Sequence, residues 1–128
     1  MTAKELSQLY WLNREIEQEK QRLAELEAAA TNTASKITGL PHVTGISDKT
    51  GIAAQIADAK NIIQKKTKLS VIEYSRLNRY IEGVEDSYIR NIMVKRHVKM
   101  MSWPEIAGEL NTTEGSVKMA YWRYLRNH

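Results

Sequence analysis

The sequence predicts an all-α chain, a long amino-terminal helical hairpin followed by a carboxy-terminal unit of three shorter helices. Three observations point to it. Leu9, Ile16, Leu23 and Ala30 recur every seven residues, the spacing of a helix face that meets another helix and a possible coiled-coil seam. Ile52, Ile56, Ala59 and Ile63 form a second stripe at spacings of four and three, one face of an amphipathic helix. Beyond residue 84, Asp86, Ser102 and Thr113 each stand where a helix N-cap is wanted.

The first helix is predicted over residues 3–30. Leu12 and Leu26 adjoin the heptad stripe, and Glu19 interrupts them. Charged residues such as Lys4, Glu5, Arg14, Glu15 and Lys20 take the outward face. The stripe suits either a helix of a compact bundle or the arm of a coiled-coil dimer. An antiparallel hairpin that also self-associates satisfies both. Residues 31–50 are rich in Thr, Ser and Gly, with Pro41 at their centre, and read as a connecting loop or a flexible docking arm. The pairs Thr38-Gly39, Thr44-Gly45 and Thr50-Gly51 are too short an echo to make a repeat.

A second long helix should run from about Ile52 to Ile81. Its apolar stripe continues through Leu69, Ile72, Leu77, Tyr80 and Ile81 with a phase shifted at Lys65-Lys66, which predicts a bend or a new packing partner there. Lys60, Lys65, Lys66, Lys68, Arg76 and Arg79 make it strongly basic, a phosphate-contacting face or a solvated one. Glu82-Gly83-Val84 breaks it, so the expected division is residues 1–83 for a hairpin that oligomerises and 84–128 for the remaining unit. Asp86 caps the next helix, with Ile89, Ile92, Met93 and His97 inward and Arg90, Lys95, Arg96 and Lys99 left for solvent or phosphate.

From Ser102 to Leu125 the spacing is that of a helix-turn-helix. Ser102 and Glu105 have capping-box spacing, and Pro104 falls in the first turn, where its missing N–H is no loss. Ile106, Ala107 and Leu110 share a face, and small Ala107 admits a close second helix. Asn111 falls at the turn, where Asn tolerates the left-handed conformation. Thr113 starts the last helix, whose inner face is Val117, Tyr121, Tyr124 and Leu125. An ordinary αα-corner without DNA is the plainer reading. In a helix-turn-helix the second helix enters the major groove with its N-terminal half. Glu114, Gly115, Ser116, Lys118, Met119, Trp122, Arg123 and Arg126 are then outward. Ser116 and Lys118 can donate to base edges or phosphates, Glu114 can accept from a cytosine amino group, and Arg123 and Arg126 suit phosphates. Trp122 reads as packing or as an exposed contact.

At 128 residues the chain is one domain, or a small domain with an extension. Its net charge of +4 suits nucleic acid without requiring it. Residues 1–50 carry six Lys/Arg against seven Asp/Glu, and residues 51–128 carry thirteen against eight. The excess therefore lies in the half holding the motif. Without Cys there is no disulfide or thiolate metal site. His42, His97 and His128 lack metal-ligand spacing, no glycine-rich phosphate loop is present, and Glu85-Asp86 reads as helix capping. The expectation is no enzyme, no cofactor and no metal. No apolar run approaches membrane-spanning length and no signal peptide opens the chain, so a cytoplasmic location in a bacterial host is expected.

The carboxy-terminal residues Ile92-Met93-Val94-Lys95-Arg96-His97, Met101-Ser102-Trp103-Pro104-Glu105-Ile106-Ala107, Leu110-Asn111 and Val117 resemble sigma factor region 4. They are closer to the region-4-like late transcription regulators of the ArpU/RinA type from phages of Gram-positive bacteria. The resemblance covers roughly the last forty-five residues; before them it rests only on helical layout. It implies a phage or prophage protein that binds double-stranded DNA and regulates late genes. The DNA-facing role carries over to Thr113, Glu114, Ser116, Lys118, Met119, Trp122 and Arg123, with Ile106, Ala107, Leu110 and Val117 in the core. His97 stands where such proteins often have Tyr, and Trp122 is bulkier than the usual polar residue. No segment resembles sigma region 2, so a complete sigma factor is not expected.

The expected partners are DNA, through Thr113, Glu114, Ser116, Lys118, Met119, Trp122, Arg123 and Arg126, with phosphate contacts from Arg90, Arg96, Lys99, Lys65 and Lys66. A second copy is expected through the amino-terminal helices, and RNA polymerase is a further candidate. Two rival classes share these features. A small-terminase-like packaging subunit also joins a helix-turn-helix to oligomerising helices, and a protein-interaction module would keep the motif without DNA.

Overall fold

The computed structural model describes residues 1–36 and 44–128, and side chains for residues 1–31 and 51–128. The protein is all-α. Helix α1 (Ala3–Leu6) leads into α2 (Gln8–Lys36); α3 spans Thr44–Glu82, α4 Ser87–Met93, α5 Trp103–Glu109 and α6 Glu114–Asn127. A π-helical turn, Val94–Val98, extends α4. No strand occurs among the described residues.

The helix expected over 3–30 is interrupted early and ends late. A capping box starts it: Thr2 Oγ1 accepts from the Glu5 amide at 3.2 Å, and the Glu5 carboxylate accepts from the Thr2 amide at 3.0 Å. At Ser7 the hydroxyl donates to the Ala3 carbonyl at 2.9 Å. Such back-bonding perturbs the helical ladder, and α2 begins at the next residue. The helices also take up most of the expected loop, since α2 reaches Lys36 and α3 starts at Thr44. Thr, Ser and Gly are weak helix formers but not breakers, and their deficits are below about 1 kcal/mol each. Helix therefore occupies residues 31–36 and 44–50, which composition alone assigns to a loop. Pro41, His42 and the Thr38-Gly39 pair lie outside the described residues.

The described chain packs as two units, Asn13–Leu69 and, separately, Met1–Leu12 with Ser70–His128. Within the first, α2 and α3 form the antiparallel hairpin. Glu15, near the start of this stretch of α2, pairs with Lys66, near the end of this stretch of α3, at 3.1 Å. Ile16 and Ala59 are buried. Leu23, Leu26, Ile52, Ile56 and Ile63 are only half-buried, so the hairpin leaves its apolar stripe partly open. Glu19 keeps its place on that stripe with its charge met by Arg22 at 3.3 Å.

The second unit is built on one core: Leu6, Leu9, Leu77, Ile81, Val84, Ile89, Ile92, Met93, Ile106, Ala107, Val117 and Tyr121. The boundary expected at residue 83 thus cuts through segments that share a core. Leu6 and Leu9 from the chain start, and Leu77 and Ile81 from the end of α3, are buried with the three carboxy-terminal helices. No helix among the described residues is long and apolar enough to cross a membrane.

Candidate nucleic-acid interface

The unit's last three helices start as the capping residues dictate. Asp86 Oδ1 accepts from the amides of Tyr88 at 2.8 Å and Ile89 at 3.4 Å, meeting N–H groups that have no intrahelical partner. Ser102 Oγ accepts from the Glu105 amide at 3.4 Å. The reciprocal half of the expected capping box is absent, because the Glu105 carboxylate takes the Ser102 hydroxyl proton at 2.9 Å instead of the backbone N–H. Thr113 Oγ1 accepts from the Ser116 amide at 3.2 Å and starts α6.

Between α5 and α6 the chain reverses at Asn111, whose φ of 54° is left-handed. The Thr112 amide donates to the Ala107 carbonyl at 3.0 Å, closing the end of α5. Ile106 and Ala107 on α5 and Val117 and Tyr121 on α6 are all buried, which fixes how the two helices cross. The Trp103 ring meets Tyr121 edge-on with centroids 5.1 Å apart. On the other side of Tyr121, its hydroxyl lies 2.8 Å from His97 Nε2 in a buried hydrogen bond. Burial, with Arg96 adding to it, pushes His97 down to about 4, so the imidazole is neutral. Burial pushes the Tyr121 phenol up to about 12, opposed by the Arg96 charge. His97 is thus a satisfied core residue, its ring nitrogen met by the Tyr121 hydroxyl.

The outward face of α6 carries the residues expected to reach DNA, but they are not equally free. Thr113 is occupied as the cap. Lys118 and Glu114, one turn apart, pair at 2.8 Å, so the acid of this face is neutralised. Ser116, Arg123 and Arg126 are exposed. Met119 and Trp122 are exposed too, at 61% and 48%. Trp122 meets the Tyr121 ring edge-on, so it both packs and faces out.

Two residues expected at phosphates turn inward. Arg90 donates to the Val84 and Glu85 carbonyls and to Ser87 Oγ, which ties the end of α3 to the start of α4. Arg96 donates to the Met101 carbonyl at 3.0 Å, and its guanidinium lies 4.7 Å from the Trp103 ring centroid. Both are half-buried. Lys99 is exposed. In the other unit Lys65 is exposed and Lys66 is the partner of Glu15.

Sequence reasoning missed a cleft of about 440 Å³ between the chain start and the π-helical turn, lined by Tyr10, Trp11, Arg96, Met100 and Glu105 among others. Met100 stands there with a φ of 58°. Trp11 is legible in the sequence as a large aromatic on the otherwise charged outward face of the first helix, and it is exposed. The turn at Met100 is not legible there, because Met has no left-handed preference. No group of His, Asp and Glu among the described residues is placed to hold a metal. Compared with protein-family models, with curated proteins and with solved structures, the chain matches none.

Proposed function

We infer that the protein is a sequence-specific double-stranded DNA-binding regulator of transcription, acting in a bacterial cytoplasm on the late genes of a phage or prophage. The observation that carries DNA binding is the outward face of α6. It holds exposed Ser116, Arg123 and Arg126 while its only acid is paired, on the second helix of a capped helix-turn-helix with a left-handed Asn turn. The transcriptional and phage assignments rest on the resemblance to region-4-like late regulators. The half-open apolar stripe of the hairpin supports self-association through the amino-terminal helices. A two-fold assembly then favours paired half-sites about one helical turn apart.

The test is binding of the full chain to tiled fragments from its own genomic neighbourhood at two salt concentrations, beside a Lys118→Glu/Arg123→Glu variant. The expected result is specific binding near a promoter, lost in the variant while circular dichroism stays unchanged. If both residues contact phosphates, replacing them should flatten the log–log salt dependence by about two units. Binding at a packaging site by a ring-sized assembly would make the protein a terminase-like subunit. Absence of any footprint would move the function to a protein partner such as RNA polymerase.

Arg96→Ala distinguishes a fold-holding arginine from a phosphate contact. It should lower stability by about 1–2 kcal/mol, from a lost carbonyl hydrogen bond and a lost cation–π contact. The salt slope of DNA binding should stay as in the parent chain, and a slope reduced by about one unit would place Arg96 at DNA instead.

A further inference from the structure

The line of α6 that points furthest from the core is apolar at its centre. Gly115, Met119, Trp122 and Arg126 follow one another at spacings of four, three and four, which sets them along one edge of the helix. Met119 is 61% exposed and Trp122 48%. The polar groups nearest this line are partly engaged, with Thr113 capping the helix and Lys118 held by Glu114. Gly115 adds an independent observation. A Cβ there would meet no atom within 4 Å, and its φ is not positive. Neither packing nor backbone conformation calls for glycine, a weak helix former, at this position. Its absent side chain leaves the backbone of the first turn open to close approach from outside, beside Met119.

In the major groove the base edges present hydrogen-bond donors and acceptors, with one apolar group among them, the 5-methyl of thymine. We propose, on the basis of the DNA-binding reading above, that Met119 seats against thymine 5-methyl groups and Trp122 continues the apolar contact one turn on. The target then carries thymine at the base pairs facing the middle of α6, with Arg123 and Arg126 at the flanking phosphates. The charge of the face fits this occupant: both exposed arginines flank the apolar line, and Glu114 is neutralised by Lys118. The unbranched, adaptable Met side chain can follow a methyl group's position as the groove varies.

The test uses the full chain to select duplexes from a random-sequence pool, then remakes the selected duplexes with deoxyuridine in place of thymidine. Uracil keeps the pairing and lacks only the methyl. Burying one such carbon is worth about 0.8 kcal/mol, so the uracil duplex should bind about fourfold more weakly for each methyl contacted. Met119→Ala, at an exposed position that leaves the core intact, should lower the thymine-to-uracil ratio about fourfold for each methyl that Met119 covers, without changing the salt slope. Equal binding of thymine and uracil duplexes overturns this proposal and leaves DNA binding standing. A Met119→Ala variant that keeps the full ratio removes Met119 as the reader. Failure to enrich any duplex overturns the DNA-binding reading and this proposal with it.

Discussion

Leu6→Ala is expected to destabilise the unit that carries the helix-turn-helix by about 3 kcal/mol, although the substitution lies far from the motif in sequence. Leu6 is 1% exposed and belongs to the cluster that includes Ile81, Val84, Ile106, Val117 and Tyr121. Deleting its branched end removes buried carbon and leaves a cavity, because the surrounding core relaxes only partly. Urea unfolding followed by circular dichroism and by tryptophan fluorescence would measure the loss. If DNA binding follows the folded fraction, the variant should also release DNA at a lower temperature than the parent chain. A loss below about 1 kcal/mol would mean that the chain start is peripheral and that residues 84–128 fold without it. A chain shortened by its first twelve residues, lacking Leu6 and Leu9, should fail more severely than the point variant.

The reason that sharing was invisible in the sequence is instructive. The heptad of Leu9, Ile16, Leu23 and Ala30 reports that one side of a helix is buried, without saying against what. Leu9 ends in the core of the carboxy-terminal unit and Ile16 in the hairpin, yet both sit on one uninterrupted stripe. The phase shift near Lys65-Lys66 was a partial clue, since of the stripe beyond it Leu77 and Ile81 are buried while Leu69 and Ile72 stay exposed. The shift falls a few residues before Ser70, where α3 passes from one unit to the other, as a change of packing partner requires. The carboxy-terminal unit was more legible because its signals are local. Asp86, Ser102 and Thr113 accept from amides within a few residues and Asn111 takes the left-handed turn, each in the place expected of it. Ionic side chains were least legible. Whether Arg90 and Arg96 face solvent or curl onto a carbonyl depends on the neighbouring backbone, which helical spacing does not reveal. The exposure of Met119 was legible from its phase on α6, whereas Trp122, equally readable as packing, both packs and faces out; the pairing of Lys118 with Glu114 follows from their four-residue spacing.

Acid should unfold the same unit earlier than its carboxylates alone would dictate, through His97. The imidazole is buried against Tyr121, and burial first, with the adjacent Arg96 second, pushes it down to about 4 from the ordinary 6.5. Below pH 6.5 the unfolded chain therefore binds a proton that the folded chain refuses. The stability contributed by keeping His97 neutral is fully present above pH 6.5 and is lost as pH falls through 4. Over that window the loss is about 3 kcal/mol, from roughly 1.4 kcal/mol per unit of difference between the two states. The interval from pH 6.5 to 5 lies above the ordinary carboxylate range, so it is where the slope is best read. Urea midpoints measured across it should fall steadily for the parent chain, and His97→Gln should flatten the profile while lowering the plateau, because the substitution disturbs the Tyr121 hydrogen bond. Parallel profiles for the two chains would show that His97 takes up its proton without unfolding the unit. Tyr121 bounds the range on the alkaline side. With its phenol raised to about 12 from 10, stability should be lost as pH rises through that interval, so the His97–Tyr121 pair favours the folded unit most between the two limits.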